Sequence, residues 1–65
     1  MIDPILVRRH AHTLWYDGKV KEAIVLFRMI AFNNRYATYV LAYDLGRRYL
    51  TPKEIKFWRD HYREI

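Results

Sequence analysis

The sequence predicts an all-α fold, a small bundle of four short helices in a single domain of residues 1–65. The longest apolar run, residues 20–32, is too long for a buried strand and opens with Lys-Glu-Ala, which favour a helix. Only Lys21, Glu22 and Arg28 interrupt its apolar surface. A helix that is apolar nearly all round must be covered on more than one side. We therefore expect this helix to be the centre of the domain.

The first helix is predicted over residues 4–16. Asp3 is a preferred N-cap, and Pro4 is tolerated at the first helical position because a missing N–H costs nothing there. Gly18 ends the helix, because glycine accepts the left-handed conformation at a helix C-terminus. The central helix follows over residues 19–32, and so short a link predicts that the two helices are antiparallel neighbours.

Two further helices are predicted over residues 36–49 and 52–64. Residues 33–34, both Asn, favour the turn before the third helix. Gly46 lies inside that helix and should weaken it by about 1 kcal/mol relative to Ala. Residues 51–54 read Thr-Pro-Lys-Glu, a capping box that begins the fourth helix. The predicted core face of the fourth helix is Ile55, Trp58, Tyr62 and Ile65.

Length and composition limit the classes of protein to consider. Sixty-five residues are near the lower limit for folding alone, and the chain has no cysteine for a disulfide or a cysteine-based zinc site. Aromatic side chains or association with another chain must supply the missing stability, so we expect a homo-oligomer or an obligate partner. The first ten residues lack the pattern of a signal peptide, and the central helix is too short and too charged to span a bilayer. We expect a cytoplasmic protein with no membrane association.

The first helical hairpin resembles a tetratricopeptide repeat, in which small and large apolar residues recur at fixed places. The matching residues are Ala11, Leu14, Gly18, Ala23 and Phe27. The alanines let two antiparallel helices approach closely, and the larger side chains fill the space between them. Arg35 and Ile30 stand where the family often has Pro and usually has Ala. The match covers about half of the chain, and the second half of the chain matches the motif only weakly.

This resemblance implies tetratricopeptide-like antiparallel hairpins and a protein-binding module whose first-of-pair helices line a groove. The groove would combine aromatic and basic side chains, which suit an apolar or acidic helix or peptide of another protein. Such a chain would serve as an adaptor, an inhibitor or a chaperone-like protein. Two helical pairs make a short groove, so oligomerisation is again implied. The groove positions are Ile5, Arg8, His12, Trp15, Tyr16, Tyr36, Tyr39, Tyr43 and Arg47.

The alternative is a small regulator that binds nucleic acid, because the net charge of +5 suits a polyanionic partner. Residues 41–46 resemble the first helix and turn of a DNA-binding helix-turn-helix, as in a phage-type repressor. Helix 52–64 would then be the recognition helix. The segment between Gly46 and Thr51 is longer than the tight turn of that motif. The basic residues assigned to the nucleic acid are Arg47, Arg48, Lys53, Lys56, Arg59 and Arg63.

An enzyme is not expected, because the chain contains neither serine nor cysteine as a nucleophile. His10, His12 and His61 lack the H-x-x-x-H spacing that places two metal ligands on one helical face. The acidic residues are dispersed, with no pair spaced for acid–base chemistry within one helix. We predict no catalytic residue, no metal site and no cofactor. A structural subunit that folds only with its partner is a third alternative, in which the central helix stays exposed in the isolated chain.

Overall fold

A computed structural model describes residues 3–65, and every element of regular structure in this range is helical. The elements are α1 (Pro4–Tyr16), α2 (Val20–Ile30), a 3₁₀ turn (Ala31–Asn33), α3 (Arg35–Tyr43), α4 (Leu45–Tyr49) and α5 (Pro52–Glu64). The all-α small bundle is thus confirmed, while residues 1 and 2 of the predicted domain lie outside the described residues. None of these helices is long and apolar enough to cross a membrane.

The helices α1 and α5 begin where the sequence predicts. Asp3 Oδ1 accepts the N–H of Ile5 at 2.9 Å, and Thr51 Oγ1 accepts the N–H of Glu54 at 3.3 Å. The Glu54 carboxylate does not complete the predicted capping box by returning to Thr51. It binds Arg28 of α2 instead, through contacts of 2.7 Å to Nε and 2.9 Å to Nη2. A residue predicted to stabilise its own helix therefore joins α5 to α2.

The turn between α1 and α2 is a Schellman motif. The N–H of Gly18 donates to Trp15 O at 3.0 Å, and the N–H of Lys19 donates to Leu14 O at 2.8 Å. Gly18 has a φ of +83°, the left-handed geometry that the sequence predicts for it. The last carbonyls of α1 are thereby satisfied, and the chain reverses within three residues.

The helices pack as two antiparallel pairs. Pro4 at the start of α1 and Phe32 just beyond α2 line the same recess, so these helices run in opposite directions. Arg35 at the start of α3 donates from Nη1 to the carbonyl of Ile65 at 2.8 Å, just beyond the end of α5. The pairs meet chiefly where α2 and the 3₁₀ turn pack against α3.

The link between the pairs is fixed by hydrogen bonds of α3. The central helix ends at Ile30, two residues earlier than predicted, and continues as the 3₁₀ turn. Asn34 then caps α3, accepting the N–H of Ala37 at 2.9 Å. The fully buried hydroxyl of Thr38 donates to the carbonyl of Ala31. A buried hydroxyl without a partner is costly, so this bond ties α3 to the 3₁₀ turn.

α3 and not α2 is the most deeply buried helix. The prediction that the central helix is covered on more than one side holds only in part, because α1, α3 and α4 pack against α2 but leave the side chains of its outer side half exposed. Val25 is 52 %, Met29 51 % and Phe32 55 % exposed on its outer side. The buried residues of α2 are Ala23, Ile24, Phe27 and Ile30. Those of the shorter α3 are Ala37, Thr38, Val40, Leu41 and Ala42.

The predicted third helix, 36–49, is broken at Asp44, whose φ of −114° and ψ of −97° are not helical. The break lets α4 fold back until Gly46 lies against the backbone of Leu41. A Cβ atom at Gly46 would stand 1.4 Å from Leu41 O, far inside any real contact. Gly46 is therefore required for the packing of α4 on α3, a role that its helix propensity does not reveal.

Replacement of Phe27 by Ala should destabilise the domain by about 3–5 kcal/mol, because Phe27 is fully buried and its cavity cannot be filled. Chemical unfolding followed by circular dichroism measures the loss. Val25→Ala is the matched control, since this side chain is on the same helix but half exposed, and its cost should stay below about 1 kcal/mol. Equal costs for the two variants would contradict the described orientation of α2.

Gly46→Ala should cost more stability than Gly18→Ala, although only Gly18 has a positive φ. An alanine at Gly18 meets open space and carries only the backbone penalty of about 1–2 kcal/mol. An alanine at Gly46 must displace the backbone of Leu41, and we expect partial or complete loss of the folded state. The melting temperatures of the two variants, measured under the same conditions, show which substitution costs more stability. A smaller loss at Gly46 would show that α4 does not pack on α3 as described.

Candidate functional site

Three tyrosines of α3 stand together on its exposed side. Tyr36, Tyr39 and Tyr43 are spaced three and four residues apart, so they share one face of the helix. The other sides of α3 are buried, so the tyrosine side chains are on the side of the helix that faces solvent. We call the surface around it the aromatic face. Its rings belong to His12, Trp15, Tyr16, Tyr36, Tyr39, Tyr43 and Tyr62, and its cations to Arg8, Arg35 and Arg59.

The α1 side of the aromatic face is centred on His12. Its Nε2 lies 2.9 Å from the hydroxyl of Tyr36, a hydrogen bond whose donor depends on the tautomer of the imidazole. The imidazole stacks on Trp15 with ring centres 5.6 Å apart, and Tyr16 lies 5.8 Å away. Phe27 supports it from the core at 5.7 Å. Tyr36 of α3 thus meets α1 through His12 and through Arg8, whose guanidinium lies over the Tyr36 ring. The buried Nδ1 of His12 has no hydrogen-bond partner among residues 3–65.

The α5 side consists of three tyrosines in mutual contact. The rings of Tyr39 and Tyr43 are 5.5 Å apart, and Tyr62 lies 5.9 Å and 5.7 Å from them. Tyr62 is half-buried and was predicted only as part of the core face of α5, beside Trp58. Its membership of the aromatic face depends on which edge of α5 meets α3, and no local pattern in the sequence carries that information.

Each of three guanidinium groups lies over a tyrosine ring of this surface. The distances from guanidinium carbon to ring centre are 5.5 Å for Arg8 over Tyr36, 5.0 Å for Arg59 over Tyr43 and 4.6 Å for Arg35 over Tyr62. Such a pair contributes about 0.5–1 kcal/mol at an exposed site. Arg59 also donates from Nε to the carbonyl of Ala42 at 3.3 Å. The cations are therefore oriented by the protein before any ligand arrives. Arg35 was not among the predicted site residues.

Burial raises the pKa of Tyr36 above its usual range, the nearby Asp44 carboxylate raises it further, and Arg8 partly offsets both. A tyrosine phenol is already protonated at neutral pH, and the raised pKa of Tyr36 keeps it protonated to a higher pH than usual. Tyr36 can therefore act as a neutral hydrogen-bond donor or acceptor within the aromatic face.

The structure brings most of the predicted groove residues together. Arg8, His12, Trp15, Tyr16, Tyr36, Tyr39 and Tyr43 all belong to the aromatic face. Ile5 is exposed on the same side of α1, one turn before Arg8. Arg47 lies apart on α4, and within the described chain no hydrogen bond, ion pair or ring contact joins it to the face.

The basic residues assigned to nucleic acid do not form a single patch. Arg59 belongs to the aromatic face, whereas Arg47 and Arg48 lie on α4. Lys56 is paired with Asp60 at 2.9 Å, and this hydrogen bond lowers the pKa of the carboxyl. An open groove on α5 does bring three cations close together. Its lining residues are Pro52, Ile55, Lys56, Arg59, Asp60 and Arg63.

The expected helix-turn-helix geometry is not found at residues 41–46. The helix is interrupted at Asp44, between α3 and α4, and Gly46 lies inside α4 rather than in a turn. Lys53 is exposed near the start of α5. Among residues 3–65, no three His, Asp or Glu side chains are grouped closely enough to hold a metal ion.

Comparison with known proteins found no matching family model, no similar curated protein and no similar solved structure. The tetratricopeptide resemblance stays a prediction, and function is inferred from the aromatic face and its charges.

Proposed function

We propose that this chain is a small non-catalytic binding module that holds an acidic segment of another protein on the aromatic face. The observation that carries the proposal is the set of three guanidinium groups fixed over tyrosine rings of one surface. Tyrosine and arginine are the residue types most often found at the energetic centre of protein interfaces. Binding of this kind, without any chemical step, is sufficient for an adaptor or an inhibitor in the cytoplasm.

The chemistry of the partner follows from the charges. Arg8 and Arg59 have no carboxylate partner within residues 3–65, so their charge is available to a ligand. Partner carboxylates would be steered to these cations, while apolar side chains of the partner would pack on the rings. The partner that fits is an amphipathic helix or peptide with alternating acidic and apolar positions.

The rigidity of the face supports binding over a purely structural role for the rings. Tyrosine loses little side-chain entropy on binding, because it has only two rotatable bonds. Ring contacts and cation–π pairs already fix most of these side chains in the free protein, which lowers the ordering cost of association. Most of the face lies on α1 and α3, and α5 adds Tyr62 and Arg59.

A fluorescein-labelled amphipathic peptide with leucine on one side and glutamate on the other should bind the protein and lose affinity as salt rises. A peptide of equal length with lysine in place of glutamate should not bind. Fluorescence anisotropy measures both. Tyr39→Ala and Arg8→Ala should each weaken binding of the acidic peptide by about tenfold or more.

Two controls match these variants in chemistry. Tyr49→Ala removes an exposed tyrosine that lies beside α2, and Arg9→Ala removes the same charge as Arg8→Ala from an exposed position on α1. Both controls should retain the affinity of the unmodified protein. If Arg9→Ala weakened binding as much as Arg8→Ala, net charge rather than the aromatic face would explain it.

Nucleic acid is the second candidate, and the α5 groove with Lys56, Arg59 and Arg63 is the feature that favours it. Asp60 in the same groove opposes a phosphate. Anisotropy of a labelled mixed-sequence DNA duplex at several salt concentrations decides between the two, since phosphate contacts weaken steeply with salt. Binding that shows this slope and disappears in Arg63→Ala would replace the protein-binding proposal, because Arg63 lies outside the aromatic face.

A further inference from the structure

The outer side of α2 is an exposed apolar surface. Val25 and Met29 are four residues apart on α2, on the side opposite its buried residues, and Phe32 follows in the 3₁₀ turn, also exposed. Phe57 of α5 joins them, its ring 6.0 Å from that of Phe32. All of these side chains are slightly more than half exposed. We call these four residues the outer α2 patch.

The patch is contiguous and about as large as the largest apolar patch of a typical monomer, which is often functional. Four large side chains, each half exposed, offer on the order of 300–400 Å² of apolar surface. Contiguous patches of this size on small proteins often mark interaction sites. A standard interface takes about 800 Å² from each partner, so the patch has the area of an interface core that still needs a polar rim.

The charges on the α2 side of the patch are balanced, in contrast to those of the aromatic face. Arg28 and Glu54 neutralise each other through their two-point contact beside the patch. One turn before Val25, Lys21 and Glu22 add one charge of each sign. A second copy of a chain with a net charge of +5 can therefore approach here without local repulsion, whereas two aromatic faces would bring unpaired arginines together.

The patch also adjoins a recess that a side chain could fill. Pro4, Met29, Ile30, Phe32 and Asn33 line a space of about 170 Å³ between the start of α1 and the end of α2. A cavity of roughly 150 Å³ accepts a benzene ring. Protruding rings and a recess that accepts a ring thus lie side by side on one surface, which is what a self-complementary contact requires.

We propose that two copies of this chain associate through the outer α2 patch in a two-fold symmetric contact. The contact buries Val25, Met29, Phe32 and Phe57 of both copies and covers the side of α2 that one chain leaves exposed. The aromatic faces, which lie on α1, α3 and the Tyr62 edge of α5, stay open in the dimer. This inference does not depend on what the aromatic face binds.

Sedimentation equilibrium between about 1 μM and 1 mM protein tests the proposal, since weak dimers form in this range. The unmodified protein should approach a mass of twice the 8.0 kDa of one chain. Met29→Lys places like charges across the contact and should raise the dissociation constant of the dimer by about tenfold or more. Circular dichroism checks that the variant keeps its helices. Phe57→Lys changes the α5 side of the contact and should weaken the dimer in the same way.

Ile5→Lys is the matched control, because it adds the same charge at a similarly exposed apolar residue on the Arg8 side of α1. This variant should dimerise like the unmodified protein. A chain that stays monomeric up to the highest concentration overturns the proposal, whether or not it binds another protein or vesicles of anionic lipid. Equal weakening by Ile5→Lys and Met29→Lys would overturn it as well, since net charge would then explain both.

Discussion

The backbone contact between Gly46 and Leu41 determines where the last third of the chain lies. It holds the short α4 against α3, and α5 then runs back along α3 with its far end at Arg35. Tyr62 meets the α3 tyrosines, and Arg59 meets Tyr43, only because α5 takes this path. The position of Tyr62 and Arg59 in the aromatic face therefore depends on Gly46, although Gly46 itself is not part of that face.

Features that depend on neighbouring residues could be predicted from the sequence. The caps at Asp3 and Thr51 and the turn at Gly18 are local hydrogen-bond patterns, and the structure contains them where the sequence places them. The tyrosine row of α3 follows from helical spacing alone. These are cases in which a few adjacent residues contain the whole physical reason.

Features that depend on packing could not be predicted. The break at Asp44 accompanies the close approach of Gly46 to the backbone of Leu41, and no proline marks it in the sequence. The apolar run of α2 indicated a helix covered on more than one side, and α1, α3 and α4 do pack against it, but a chain of this length has too few other elements to cover its outer side as well. Glu54 fitted a capping box, yet the distant Arg28 offers it a charge-assisted two-point contact, which is the stronger interaction.

The neutral Arg28–Glu54 pair lies beside one surface, whereas Arg8 and Arg59 on the other have no carboxylate partner within residues 3–65, so the two proposed contacts should respond to ionic strength in opposite ways. The Debye length falls from about 10 Å at 0.1 M salt to about 3 Å at 1 M, which screens the attraction of Arg8 and Arg59 for a carboxylate. Salts that are excluded from protein surfaces strengthen apolar burial and so favour covering the outer side of α2. Raising the concentration of such a salt should therefore weaken the proposed ionic contacts at the aromatic face while it strengthens the proposed apolar contact at the outer α2 patch.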